Sequence, residues 1–410
     1  MKLIKNIKGL CGVDAGASLV KGSAMADLKS ISHAFLVIKQ GLIHDFGPMA
    51  SCPENQENFE EIVDASGQFI LPAWCDSHTH LVFAGSREKE YVDKIHGLKY
   101  EEIAARGGGI LHSADLLNDT SEDDLYHAAK LRLENMMRLG TASVEIKSGY
   151  SMTLEGEMKM LRVIRRLKES LTVNIKSTYL VHATPRSYKA QQGKYVDDVI
   201  EKFIPAIGGS GLADYIDVFC EDGFFSEEET NRILECGQRF GMRAKVHANQ
   251  LHHSGGVRAA VKNRAISADH LEQLNDEEIG LLKESNTIPC LLPTAAMFLR
   301  LTYPPAKKLI DEGLGFALAT DYNPGSSPSG NMPLLLSLAC IQMKILPQEA
   351  ITAATINGAA AMDLAHQTGS IDRGKQANLV LTKSMPSLAY FTYSFGENLI
   401  DQVYIKGSVI

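Results

Sequence analysis

The sequence predicts an α/β protein: a (β/α)8 barrel of the TIM type beside a small β-sandwich built from both chain ends. Three observations carry this. From about residue 70, short apolar strand-like runs alternate with helix-like stretches about eight times. Both ends have a different texture, rich in short β-branched runs broken by Gly and Pro. And 410 residues, 45% hydrophobic and 22% charged, are enough to bury a large core. The expected division is residues 1–69 with 367–410 for the sandwich, and 70–366 for the barrel.

The amino-terminal part offers Ala34-Phe35-Leu36-Val37-Ile38, Gly41-Leu42-Ile43, Glu61-Ile62-Val63-Asp64 and Gln68-Phe69-Ile70, with a Gly-Pro turn at 47–48. Then the barrel rhythm begins. Its candidate strands are Phe69–Asp76, Thr141–Lys147, Asn174–His182, Tyr215–Cys220, Arg243–His247, Ala265–Asp269, Thr287–Leu292 and Phe316–Thr320. Near-continuous apolar strands are what a parallel sheet covered on both faces requires. Helix signals fall between them. Ser121 and three acidic residues open a helix that carries Leu125, Ala129, Leu133 and Met136 and stops at Gly140. Ser226 with Glu229 forms a capping box, and Gly241 ends that helix. Two apolar helical stretches, 333–345 and 347–364, follow the eighth strand. The β texture returns at Ala377–Leu381 and Asp401–Ile405. The alternative is a doubly wound open sheet, but no GxGxxG follows a strand, and Gly107-Gly108-Gly109 follows no strand.

Composition excludes several classes. The net charge of −8 and the lack of a dense basic run argue against a nucleic-acid partner. Seven scattered Cys without a CxxC read as free thiols in a reducing compartment, hence the cytoplasm. No apolar run approaches a membrane span, and the basic opening MKLIKNIKGL lacks the apolar stretch of a signal peptide.

In a barrel of this kind the chemistry sits at the carboxyl ends of the strands. His78 and His80 end the first strand, and residues two apart face the same side. Lys147 and Tyr150 end the second, His182 the third, Glu221 and Asp222 the fourth. His247 ends the fifth, followed by Asn249 and Gln250. Asp269 and His270 end the sixth, and Asp321 the eighth, before Asn323. Any one of these is more often a core or capping residue. Their gathering at one end points to a single metal ion. The expected ligands are His78, His80, His247 and Asp321, a set that suits Zn2+ and also iron. A catalytic metal keeps a position for water and lowers its pKa. His270 is then either a proton acceptor beside the metal or a further ligand. His252 and His253 read as loop residues, and His33, His44, His96, His112, His127 and His366 as surface or structural.

The strand-one HxH, the His residues after strands five and six, and the Asp after strand eight together resemble the amidohydrolase superfamily. The resemblance spans the whole chain. It is carried by Asp76–Arg87 (DSHTHLVFAGSR), Glu145–Tyr150, Val181–Pro185, Val246–Gln250 and Ala319–Ser326. It implies a metal-dependent hydrolase barrel with one Zn2+ or Fe3+ per chain, working as a homodimer. Within the superfamily the match is close to members that hydrolyse 4-imidazolone-5-propanoate to N-formimino-L-glutamate in histidine breakdown. For such a substrate the resemblance assigns binding to Arg87, Tyr100, Tyr150, His182, Gln250, Asn323, Gly325 and Ser326, with His270 and Asp321 catalytic. Arg87 offers a fork for the carboxylate. Related deaminases carry His-x-x-Glu after strand five. Here the residue is Gln250, which cannot ferry a proton. Two rivals remain: a deaminase or a hydantoinase-like cyclic amidase, the latter needing Glu221 to bridge two metals, and a non-enzymatic barrel relative.

Overall fold

The computed structural model describes residues 1–16, 18–98 and 108–410. Tyr100 therefore lies outside the described residues. The chain begins with β1 (Lys2–Cys11), β2 (Ser30–Lys39), β3 (Leu42–Pro48), β4 (Glu61–Asp64) and β5 (Phe69–Pro72). Eight barrel strands follow: β6 (Trp74–Thr79), β7 (Thr141–Lys147), β8 (Asn174–Val181), β9 (Tyr215–Cys220), β10 (Arg243–Ala248), β11 (Ser267–His270), β12 (Ile288–Leu291) and β13 (Ala317–Leu318). The chain closes with β14 (Leu379–Thr382), β15 (Ile400–Ile405) and β16 (Ser408–Val409).

The two ends form one mixed sheet, in the order β16-β15-β14-β5-β1-β2-β3, with β4 also on β1. Ile4, Ile7, Leu10, Leu36, Ile38, Leu379 and Leu381 give it a core of its own. The barrel strands run parallel in sequence order, β6 through β13, with helices outside. Ser121 caps the helix Glu122–Arg138, and the Ser226–Glu229 capping box opens Glu227–Arg239. The apolar stretch after residue 347 is not one helix. It breaks at Thr355, whose φ of −116° and ψ of −93° divide Pro347–Ala354 from Ile356–Ala360.

The run Phe69–Asp76, expected as one strand, is two. Pro72 has no N–H to continue a ladder. Ala73 N donates to Asn378 O in the mixed sheet at 2.9 Å, and the next residue, Trp74, donates to Gly140 O in the barrel at 2.9 Å. The chain changes sheet between two adjacent residues.

The seam between the first and last barrel strands matters most for the site. Asp321 N donates to His78 O and His80 N donates to Tyr322 O, each at 3.0 Å. Below them the Asp76 carboxylate takes the place of a strand partner. It accepts Thr320 N at 3.0 Å and the Thr320 hydroxyl at 2.6 Å. Burial pushes the Asp76 carboxyl up to about 6, against those two hydrogen bonds. The barrel is thus closed by the strands that carry the HxH pair and Asp321. Among the described residues no helix is long and apolar enough to cross a membrane.

Candidate metal centre and its cavity

His78 ends near the barrel axis, with His80 one pleat further on. His78 Nε2 and His80 Nε2 are 3.3 Å apart, and Asp321 Oδ1 lies 3.5 Å from the first and 3.4 Å from the second. Ligand atoms about 2.0–2.1 Å from a tetrahedral metal are separated by about 3.3–3.4 Å, so these three atoms outline one face of such a site. His247 stands beside them, its ring centroid 4.5 Å from that of His78. His270 follows at 5.2 Å from His247. All five side chains are buried. Asp321 and His270 reach the centre through left-handed backbone, with φ of 54° and 84°. Such conformations cost about 1–3 kcal/mol and persist where surrounding structure imposes them.

The rings are oriented from beneath. Asp269 Oδ2 sits 2.6 Å from His78 Nδ1, which makes that nitrogen the protonated one and turns the Nε2 lone pair to the centre. Asp217 Oδ2 lies 2.9 Å from His247 Nδ1, off the line of a ring N–H, while its Oδ1 accepts His247 N at 3.1 Å. Lys147 joins these two carboxylates. Its Nζ is 2.8 Å from Asp217 and 3.4 Å from Asp269, and 2.6 Å from Glu145. Lys245 pairs with the other Glu145 oxygen and donates to Ser77 O at 3.0 Å. All five charged side chains have no solvent exposure. Burial alone would neutralise Lys147, but Asp217, Glu145 and Asp269 hold it above the ordinary lysine range. Burial likewise opposes the Asp269 charge, which Lys245, Lys147 and His78 hold well below the usual carboxylate range. Breaking a buried pair of this sort costs about 3–5 kcal/mol, so the network locks its members in place.

The donor set fits a resident metal: His78, His80 and Asp321 stand at tetrahedral spacing, and the ligand atoms of His247 and His270 lie within 4.8 Å of that of His78. Burial would raise the Asp321 carboxyl, yet hydrogen bonding to His78 and His80 holds it well below the ordinary range, as an anionic ligand requires. Burial drives His247 well below the usual imidazole range, so its ring stays neutral.

A cavity of about 430 Å³ opens from this centre. It brings together His80, His247, His270 and Asp321 with Arg87, Tyr150, His182, Gln250, Asn323, Gly325 and Ser326. His78 lies behind it, in the metal cluster only. Burial takes His182 down to about 3, a neutral ring, and pushes the Tyr150 hydroxyl above its ordinary range, so that it stays protonated. Asn323 shapes its own loop: Oδ1 accepts Gly325 N and Ser326 N, both at 2.8 Å. Glu221 does not line the cavity. Its carboxylate accepts Leu251 N at 2.8 Å and Asp222 N at 2.9 Å, which occupies it as a loop cap. His252 and His253 are exposed, paired with Glu221 and Glu278.

Sequence reasoning assigns no role to several residues that the fold brings here. Asp217 and Glu145 are charged residues inside otherwise apolar strands, and that mismatch was the available signal. Lys94 and Phe224 line the cavity from segments with no such mark. Glu272 is buried beside His270, with Oε1 3.6 Å from His270 Nδ1 and neither oxygen hydrogen-bonded.

Residues 69–410 match the amidohydrolase family. An imidazolonepropionase from Flavobacterium johnsoniae is 53% identical over 410 residues, covering 100% of this chain and 99% of its own. One from Clostridium tetani is 39% identical, covering 95% of this chain and 93% of its own. Among solved structures, guanine deaminase from E. coli aligns with a TM-score of 0.74 at 14% identity, over 100% of this chain and 98% of that one. A zinc complex of atrazine chlorohydrolase from Arthrobacter aurescens aligns with a TM-score of 0.73 at 14% identity, over 100% and 95%. At that identity the likeness speaks for the fold.

Proposed function

The chain belongs to the amidohydrolase family and, within it, to the imidazolonepropionases; on that footing we propose that it hydrolyses 4-imidazolone-5-propanoate to N-formimino-L-glutamate. The observation that carries this reading is one cavity with two chemically distinct ends, a His/Asp cluster and an Arg87 wall. The substrate has the matching ends, a ring amide and a carboxylate, the latter four bonds from the amide's carbonyl carbon. Gln250 in place of a glutamate supports ring opening over deamination, since an amide side chain cannot carry a proton to a departing amine.

When bound, a metal held by His78, His80, His247 and Asp321 would supply Lewis-acid activation of water and of the ring carbonyl. The chain's own residues do the rest. Arg87 holds the carboxylate and fixes the ring's depth. Tyr150, as a protonated hydroxyl, and His182, as a neutral ring, orient the heterocycle by hydrogen bonds, with Gln250. Ser326, whose hydroxyl is 3.0 Å from Asp321 Oδ2, steadies that carboxylate. His270 accepts a proton from the attacking water and returns it to the ring nitrogen as the C–N bond breaks. The water oxygen becomes part of the new carboxylate, and the freed nitrogen ends as the formimino group.

The metal is zinc or ferric iron, and the working unit a homodimer in the cytoplasm without nucleic-acid or membrane partners. Seven free cysteines support a reducing compartment. Metal analysis and sizing test those points. For the activity, the metal-loaded protein is mixed with 4-imidazolone-5-propanoate and the fall in the ring's ultraviolet absorbance is followed. No turnover by fully loaded protein overturns the reading.

A further inference from the structure

Arg87 is less available than its position indicates. Its Nε and Nη2 donate to one oxygen of Glu90, at 2.9 and 2.6 Å. The other Glu90 oxygen accepts Gly109 N at 2.8 Å. Both members of the pair are only 10% exposed, so water screens their attraction weakly. Seen from across the cavity, a guanidinium and a carboxylate this close contribute almost no net charge. What Arg87 retains is direction. The edge formed by Nη1 and the second Nη2 hydrogen still faces outward, against Gly325, where a Cβ would collide with Nη1.

A second cation lies about two helical turns past Arg87. Lys94 occupies the helix Glu88–Ile95, half-buried on the same cavity wall. Its Nζ is 3.4 Å from Gly325 O, which aims the ammonium at the loop that also borders Arg87. Among the described residues no carboxylate lies within ion-pair distance of it. Glu90, four residues before, is committed to Arg87 and Gly109. Lys94 would thus be the cation whose field reaches into the cavity, where apolar walls such as Ile110, Leu299 and Leu301 leave little to damp it.

We propose that Lys94 is a specificity-determining residue: it supplies the uncompensated positive charge that selects a carboxylate-bearing tail, while Arg87, neutralised by Glu90, sets the tail's direction. This rests on the reaction proposed above and assigns the tail end of the same site.

The test compares metal-loaded wild type with Lys94→Met, Lys94→Arg and Lys89→Met, the last removing an exposed lysine of the same helix. Two non-reacting probes are used as inhibitors, imidazole-4-propanoate and 4-propylimidazole, which carries the same ring but no carboxylate. Lys94→Met is expected to weaken the propanoate roughly tenfold and to leave the propyl compound within about twofold. Lys94→Arg should restore most of the preference, and Lys89→Met should match wild type. If Lys94→Met keeps the full preference for the carboxylate, or weakens both probes equally, the proposal fails, the second outcome making Lys94 a mere prop for the Gly325 loop. Wild-type turnover of 4-imidazolone-5-propanoate, measured in parallel, separates that failure from failure of the reaction assignment.

Discussion

The two ends of the cavity are built on different principles. At the metal end, His78 and His247 project from strands, His270 closes one, His80 directly follows the strand of His78, and Asp321 lies three residues past the last barrel strand. Beneath them five unexposed charges are tied to one another. At the tail end, Arg87 and Lys94 stand at the start of and within a short exterior helix, facing the loop 323–326, and are held by Glu90 and a carbonyl. The first end has its geometry imposed by backbone register. The second has it imposed by charge pairing among side chains. Hydrolysis needs donors fixed to within a fraction of an ångström, and register supplies that. Choosing a tail needs the right charge at roughly the right distance, and a paired helix suffices.

If that division holds, damage at the metal end lowers kcat and metal content, while damage at the tail end raises KM. The largest effect is expected from Asp321→Asn. It should lose tightly bound metal and lower turnover by about a thousandfold or more, read by metal analysis and rate together. His270→Ala should keep its metal and lose about a hundred- to ten-thousandfold in kcat. If it loses metal instead, His270 belongs with the ligands. Lys147→Met leaves Asp217 and Asp269 without their shared cation. Metal affinity should fall about ten- to a hundredfold by chelator competition, with the protein still folded. Metal binding equal to wild type would show the underlayer to be only structural. The smallest effect falls to Gly325→Ala, which displaces Arg87. A rise in KM of roughly tenfold with kcat kept is expected. A fall in kcat of the same size would erase the distinction between the two ends.

The same division explains what is legible in the sequence. The barrel and the ligand positions can be read because apolar strands with a period of two announce themselves, and a His or Asp at the end of one stands out. Phe69–Asp76 misleads because an apolar run looks the same whether it serves one sheet or two. Only the missing N–H of Pro72 marks the change. Asp217 and Glu145 contradict their apolar surroundings; Glu145 shares a face with Lys147 two residues on, but nothing local says that Asp217 would meet Lys147 from another strand. At the tail end the signal vanishes. Glu90 and Lys94 are four apart on a polar helix, which reads as a solvated i,i+4 pair. The structure turns Glu90 to Arg87 and leaves Lys94 to the cavity. Arg87 was marked only by resemblance to known sequences, and the Gly107–Gly109 run gave no hint that Gly109 N would meet Glu90.

The pairing of β5 with β14 sets Leu71 opposite Val380. On a ribosome, the strand that leads into His78 must therefore wait for a partner made about 300 residues later. At about 5–20 residues per second that is roughly 15–60 seconds. Asp321, which closes the seam on His78 through its backbone, arrives almost as late. The first ligand strand can pair early with β7 on one flank, but its other flank stays open for most of translation. A nascent chain stalled before residue 321 should display an apolar, imidazole-bearing edge, the natural target for a chaperone.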